Sequence, residues 1–130
     1  MKIKMLAAAA LLSLAISSPT FAIVPQPEKC PSVDLLQQSN IEHASYMEEH
    51  HAWIAIAPPQ NYDTKDKWVL MVMPILAKDE SEAVVNGQKS LNFIKFLKGP
   101  ESTIGPMWDC TYTNNSNQFI IANTGFFIKK

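Results

Sequence analysis

Trp68-Val69-Leu70-Met71-Val72-Met73, closed by Pro74, is apolar at every position. A short run of this kind, bounded by a breaker, reads as a strand buried on both faces. Alternate side chains of a strand point to opposite faces. Trp68, Leu70 and Val72 therefore share one side, and Val69, Met71 and Met73 the other. His51-Ala52-Trp53-Ile54-Ala55-Ile56-Ala57, stopped by Pro58-Pro59, has the same character. There Trp53, Ala55 and Ala57 oppose Ala52, Ile54 and Ile56.

Working outward toward the carboxyl end, Asp79 to Leu97 changes period. Ala83, Gly87, Leu91 (or Ser90 in its place) and Ile94 fall at helical spacing, and Asp79 and Glu82 stand as in a capping arrangement. Gly99-Pro100 supplies a stop. Asn86-Gly87 could instead be a hairpin turn, but Gln88-Lys89-Ser90 is poor strand material, so the helix is preferred. On that reading Gly87 lets the helix lie close to the sheet. Met107 to Thr113 and Gln118 to Asn123 alternate around Asn114-Asn115-Ser116-Asn117, which predicts a hairpin. Phe126-Phe127-Ile128 is too apolar for a free tail and is expected to pack back.

Toward the amino end, Met47 to His50 reads as a turn and Ser39 to Tyr46 as a weakly alternating strand. Cys30 to Gln37 reads as a short helical turn, with Val33 and Leu36 facing inward. Ile23 to Lys29, with Pro25 and Pro27, is expected to be extended. The sum is an α+β domain: an antiparallel sheet of about five strands packed against one main helix.

One helix covers one face of such a sheet. The opposite face, carrying Ile54, Ile56, Val69, Met71 and Met73, must be covered by the amino-terminal segment, by Phe126-Phe127-Ile128, or by another molecule. Large apolar patches mark interaction sites, and Met suits adaptable contacts. A protein partner or self-association through this face is one expectation; ordinary packing by the chain's own termini is the other.

The chain opens Met1-Lys2-Ile3-Lys4, continues uncharged from Met5 to Ile16, and reaches Ser17-Ser18-Pro19-Thr20-Phe21-Ala22. Basic start, apolar run and small residues form the plan of a secretory signal, with cleavage after Ala22. The apolar run is too short to span a bilayer, which needs about 20 residues, and no lipobox precedes Cys30. The expected division is residues 1–22 as signal peptide and residues 23–130 as one mature domain, periplasmic or extracellular, with no membrane anchor after cleavage. Loss of Lys2 and Lys4 takes the formal charge from −1 to −3, and the chain has no Arg. Nucleic acid and anionic membrane surfaces are therefore poor partners.

Cys30 and Cys110 are the only cysteines. In an exported chain an even count points to a disulfide. A reactive thiol or a metal pair is the alternative, disfavoured by the absence of a CxxC spacing.

Enzyme signatures are missing: no GxSxG, no HExxH and no glycine-rich phosphate loop. The chain is read as non-catalytic, without cofactor or metal. The one metal-like cluster is Glu48-Glu49-His50-His51 with His43; a hairpin would have to bring His43 and His51 side by side. Asn114-Asn115-Ser116 matches a glycosylation sequon.

Cys30-Pro31-Ser32-Val33, the strands containing Trp53 and starting at Trp68, the helix with Ala83, and Trp108-Asp109-Cys110-Thr111-Tyr112 together carry a resemblance. The chain resembles a family of small secreted proteins of intracellular gamma-proteobacteria, a domain of unknown function linked with the type IV secretion-associated protein EirA. It departs from the family in a less Ala-rich helix and in its Phe-Phe-Ile end. The resemblance implies a periplasmic accessory protein supporting a secretion apparatus or host interaction, and no catalytic residues. A secreted inhibitor or small-ligand binder acting on host or envelope components is the alternative expectation.

Overall fold

The computed structural model describes residues 25–102 and 105–125. The signal-peptide reading and the fate of Phe126-Phe127-Ile128 both lie outside those residues. Six strands form one antiparallel sheet: β1 (His43–Met47), β2 (Ala52–Ile56), β3 (Val69–Ile75), β4 (Lys95–Ser102), β5 (Trp108–Thr113) and β6 (Phe119–Thr124). Their spatial order is β1-β2-β3-β6-β5-β4. Among the described residues two helices accompany them, α1 (Val33–Gln37) and α2 (Glu80–Ser90), with a 3-10 turn at Glu48–His50 between β1 and β2. The α+β expectation holds, with one strand more than expected.

The additional strand is β4. The helical spacing read as far as Leu97 ends at Ser90, with Leu91 as C-cap. Leu91 and Ile94 are both buried, 1% and 5% exposed, but Ile94 reaches the core from beyond the helix. Gly99-Pro100 does not terminate a helix; it lies inside β4 at an irregularity in the pairing with β5. Gly99 has φ +126°, and a Cβ there would stand 2.6 Å from the Asp109 carbonyl oxygen and 2.8 Å from Cys110 Cα. Glycine alone allows this approach.

The start of α2 follows the sequence. Asp79 Oδ1 accepts from the Glu82 amide at 2.9 Å. Glu82 Oε1 accepts from the Lys78 amide at 2.7 Å. Both bonds satisfy amides at or just before the first helical turn. Ala83 and Gly87 form the buried side of α2. A Cβ on Gly87 would meet Ala55 Cβ at 2.5 Å, so the helix lies directly on β2.

The hairpin of β5 and β6 has the expected register, Thr113 opposite Phe119 and Cys110 opposite Ala122. Its turn is held by Asn114, whose Oδ1 accepts from the amides of Ser116 and Gln118. The core is one cluster on one side of the sheet. Ala44, Ala55, Leu70, Val72, Ile120, Ala122, Cys110 and Tyr112 point there, with Leu36, Ile41, Ala83, Leu91 and Ile94 packed over them.

Candidate functional site: the open face of the sheet

Cross-strand partners share a face, so the register places the residues singled out in the sequence. One row runs His43, Ile56, Met71, Ile121, Thr111 and Lys98. A neighbouring row runs through Met73, Phe119, Thr113 and Lys95. Ser45 and Ile54 pair on the same side one strand further out. Val69 pairs with Asn123, which faces Asp109. Ile54, Ile56, Val69, Met71 and Met73 thus stand on one face, the face turned away from α2.

The amino-terminal segment covers the same side of the sheet as α2. Cys30 and Cys110 form a disulfide, Cα to Cα 5.8 Å, and Cys110 belongs to the core row with Ala122. The Tyr112 hydroxyl donates to the Pro31 carbonyl, and Leu36 is fully buried. The Ser32 amide donates to Asp63 Oδ1 at 3.0 Å, and Lys29 pairs with Asp63 Oδ2 at 3.3 Å. Those bonds, the amide's first, hold the Asp63 carboxyl below its ordinary range. Burial, reinforced by Asp63 and Tyr62, pushes Tyr112 ionisation far above that of a free phenol. Of the three covers considered from the sequence, the amino-terminal segment is therefore spent on the helix side.

Among the described residues both helices lie on the covered side, and the opposite face is open. Ile54, Ile56, Met71, Met73 and Ile121 are each half-buried there. Phe119 is 55% exposed. Val69 is buried at 6%, at the end of the face where Asn123 Nδ2 donates to Asp109 Oδ1. Phe119 and Ile121 belong to this surface but were read in the sequence only as part of a returning strand. Their signal was the long-range pairing of β3 with β6, which periodicity does not carry.

The edges of the sheet differ from its open face. On β1, the Ala44 amide donates to Glu80 Oε2 at 3.2 Å, and beside it the Ile41 amide donates to Gln88 Oε1 at 2.9 Å. On β4, two register shifts, Lys95, Lys98 and Pro100 interrupt the strand, and Gln26 Nε2 donates to the Pro100 carbonyl at 3.2 Å. These are devices that discourage edge pairing.

Two sequence motifs do not form sites. His43 pairs with Ile56 at one end of the first hairpin, while His51 lies in its turn, beyond the Met47–Ala52 pair at the other end. The turn that carries Glu48 and Glu49 therefore separates the histidines along the strand. No group of three His, Cys, Asp or Glu residues among those described could hold a metal. Asn114 of the sequon is 6% exposed, and its Nδ2 donates to the Ser90 carbonyl and to Gln118 Oε1. Its amide is a structural brace rather than an acceptor for a glycan.

Cavities are shallow. One cleft, about 490 Å³, is bordered by Leu76, Asn86, Lys89 and Asn117 and opens broadly to solvent. A groove of about 440 Å³ runs beside Cys30, Pro31, Phe96 and Pro100. No helix among the described residues is long and apolar enough to cross a membrane. Compared with protein-family models, curated proteins and solved structures, the chain matches none of them.

Proposed function

We propose that the mature chain is a non-catalytic interaction or accessory protein that works outside the cytoplasm and docks a protein through the open face of its sheet. One observation carries this reading. Strands that alternate between two apolar sets have one set sealed beneath α2 and the amino-terminal segment, and the other left in a continuous patch across β2, β3 and β6. A patch that joins several partly exposed large apolar side chains has a physical reason to be covered.

The disulfide supports an oxidising compartment, since such bonds persist there. The signal-like amino terminus supports export. Service to a type IV secretion apparatus is supported by the family resemblance alone.

The test is a photo-crosslinking residue placed at Met71, with the same residue at Lys89 on the exposed side of α2 as control. Discrete crosslinked products are expected from Met71 only, in the envelope or medium fraction, from a chain beginning at Ile23. Equal labelling at both positions, or none at Met71, overturns the docking reading. A product retaining residues 1–22 in the cytoplasmic fraction overturns the export reading.

A further inference from the structure

We infer that the occupant of the open face is a second copy of this chain, stacked face to face about a two-fold axis parallel to the strands. The inference rests on the docking reading above and adds the partner and its orientation.

The edges direct association to the face. Lengthening the sheet would require β1 or β4 to accept a new strand, and both are obstructed: β1 by Glu80, β4 by its register shifts, Pro100 and Gln26. Stacking needs neither edge.

The charge pattern then selects the axis. Lys95 and Lys98 stand on the open face at the β4 flank. Glu48 and Glu49, both exposed, follow β1 at the opposite flank. Lys98 already pairs with Glu101 at 3.2 Å, so Lys95 is the lysine to consider. An axis perpendicular to the strands lays β1 on β1 and β4 on β4 and reverses their ends, so it brings Lys95 to neither Glu48 nor Glu49. An axis parallel to the strands lays β1 on β4 of the other copy. Lys95 shares a row with Phe119 and Met73, toward the end of the sheet from which Glu48 and Glu49 project. The second axis therefore brings acid to base twice.

The same axis passes between β3 and β6, the two central strands. Met71 and Met73 of one copy then meet Ile121 and Phe119 of the other, row on row. Methionine sulfur against an aromatic edge is a favourable contact. Two sheets stacked this way make an aligned sandwich about 10 Å apart.

Size fits a modest dimer. Six strands about 4.8 Å apart and about five residues long present roughly 500 Å² in projection. Two copies bury on the order of 1,000 Å², the lower bound for a specific interface. A dissociation constant of about 1–100 µM is expected.

Sedimentation of the oxidised mature chain from about 1 µM to about 500 µM tests this. A monomer–dimer equilibrium is expected. Met71→Glu should raise the dissociation constant at least about 30-fold. Lys95→Glu, and separately Glu48→Lys with Glu49→Lys, should each raise it about fivefold, because every contact occurs twice. Combining all three reversals should return it to within about twofold of the parent. These three sites are exposed, so they serve if Met71→Glu fails to fold. A wild-type monomer throughout the range, a dimer indifferent to Met71→Glu, or a combined reversal that does not recover overturns the inference. In those cases the Met71 crosslink decides the earlier reading: a product with a different protein leaves the docking face standing, and no product removes both.

Discussion

The two faces of the sheet are built from alternate residues of the same strands, yet they differ in grain. The covered face places Ala44 and Ala55 beneath Ala83 and Gly87 of α2, so that backbones approach closely. Larger side chains, Leu70, Val72, Ile120 and Tyr112, fill the space beyond, and all four are fully buried. On the open face large side chains dominate, Ile54, Ile56, Met71, Met73, Phe119 and Ile121, with the small Ala52 only beside the first hairpin turn. A face designed for a helix alternates small with large. A face of mostly large, partly flexible side chains suits another sheet. The difference teaches that apolar content alone does not define a core; the placement of the small residues does.

The strongest way to break the comparison is to cut the tie that fastens the amino-terminal segment to the covered face. Replacing Cys30 and Cys110 together by Ala should cost about 4–5 kcal/mol by loop entropy. That is much of the stability of a small domain, about 5–15 kcal/mol. Denaturant titration with and without reductant measures it. A loss under about 1 kcal/mol would mean that packing, not the cross-link, holds the segment.

Next comes the direct contrast of neighbours. Leu70→Ala on the covered face should cost about 2–5 kcal/mol. Met71→Ala, one residue along and facing the other way, should cost no more than about 1 kcal/mol in the monomer. Equal losses from the two would abolish the distinction between the faces.

Gly87→Ala sharpens the rule about small residues. Helix propensity alone favours Ala by about 1 kcal/mol. The 2.5 Å approach of the added carbon to Ala55 Cβ involves two rigid groups, and overpacking costs about 1–3 kcal/mol. A net loss of about 0–2 kcal/mol is expected. Adding Ala55→Gly should recover part of it, and a double-mutant cycle reads that coupling.

The smallest effect is alkaline. Tyr112 on the covered face has its ionisation raised by burial, then by Asp63 and Tyr62. The unfolded phenol ionises near pH 10. The folded state therefore keeps its proton longer, and the associated stability is intact below about pH 10 and falls as pH rises further. Melting temperatures across about pH 8 to about pH 11 should show this decline. Tyr112→Phe should flatten it while costing about 1 kcal/mol for the lost bond to Pro31.

These contrasts mark what could be read before the fold was seen. The strands at Ala52–Ile56 and Val69–Met73, the hairpin about Asn114 and the capped start of α2 were legible because each has a local signal, although β3 runs on through Pro74, which was read as its end, to Ile75. β4 was not. Ile94 stands three residues after Leu91 and mimics another helical turn, while the pairing of Lys95–Ser102 with β5 and the edge contact of Phe96 on Tyr112 are long-range. The docking candidates Ile54, Ile56, Val69, Met71 and Met73 were legible as a set because alternation assigns them one face. Their continuation through Phe119 and Ile121 depended on β6 lying beside β3, which no local pattern encodes. The histidine pair failed for a related reason, since hairpin register, not sequence proximity, decides which side chains meet.

The disulfide has a consequence for the fate of the protein once cut. Residues 30 to 110 form a covalent ring that contains both helices and four of the six strands entire, together with the start of β5. A protease that opens the backbone at the exposed Asn61–Lys67 loop would linearise that ring without releasing a fragment. The nicked molecule would keep its mass until reduced, and its two pieces would stay in register on one sheet. In surroundings rich in proteases, the ring turns a first cut from a lethal event into a tolerated one.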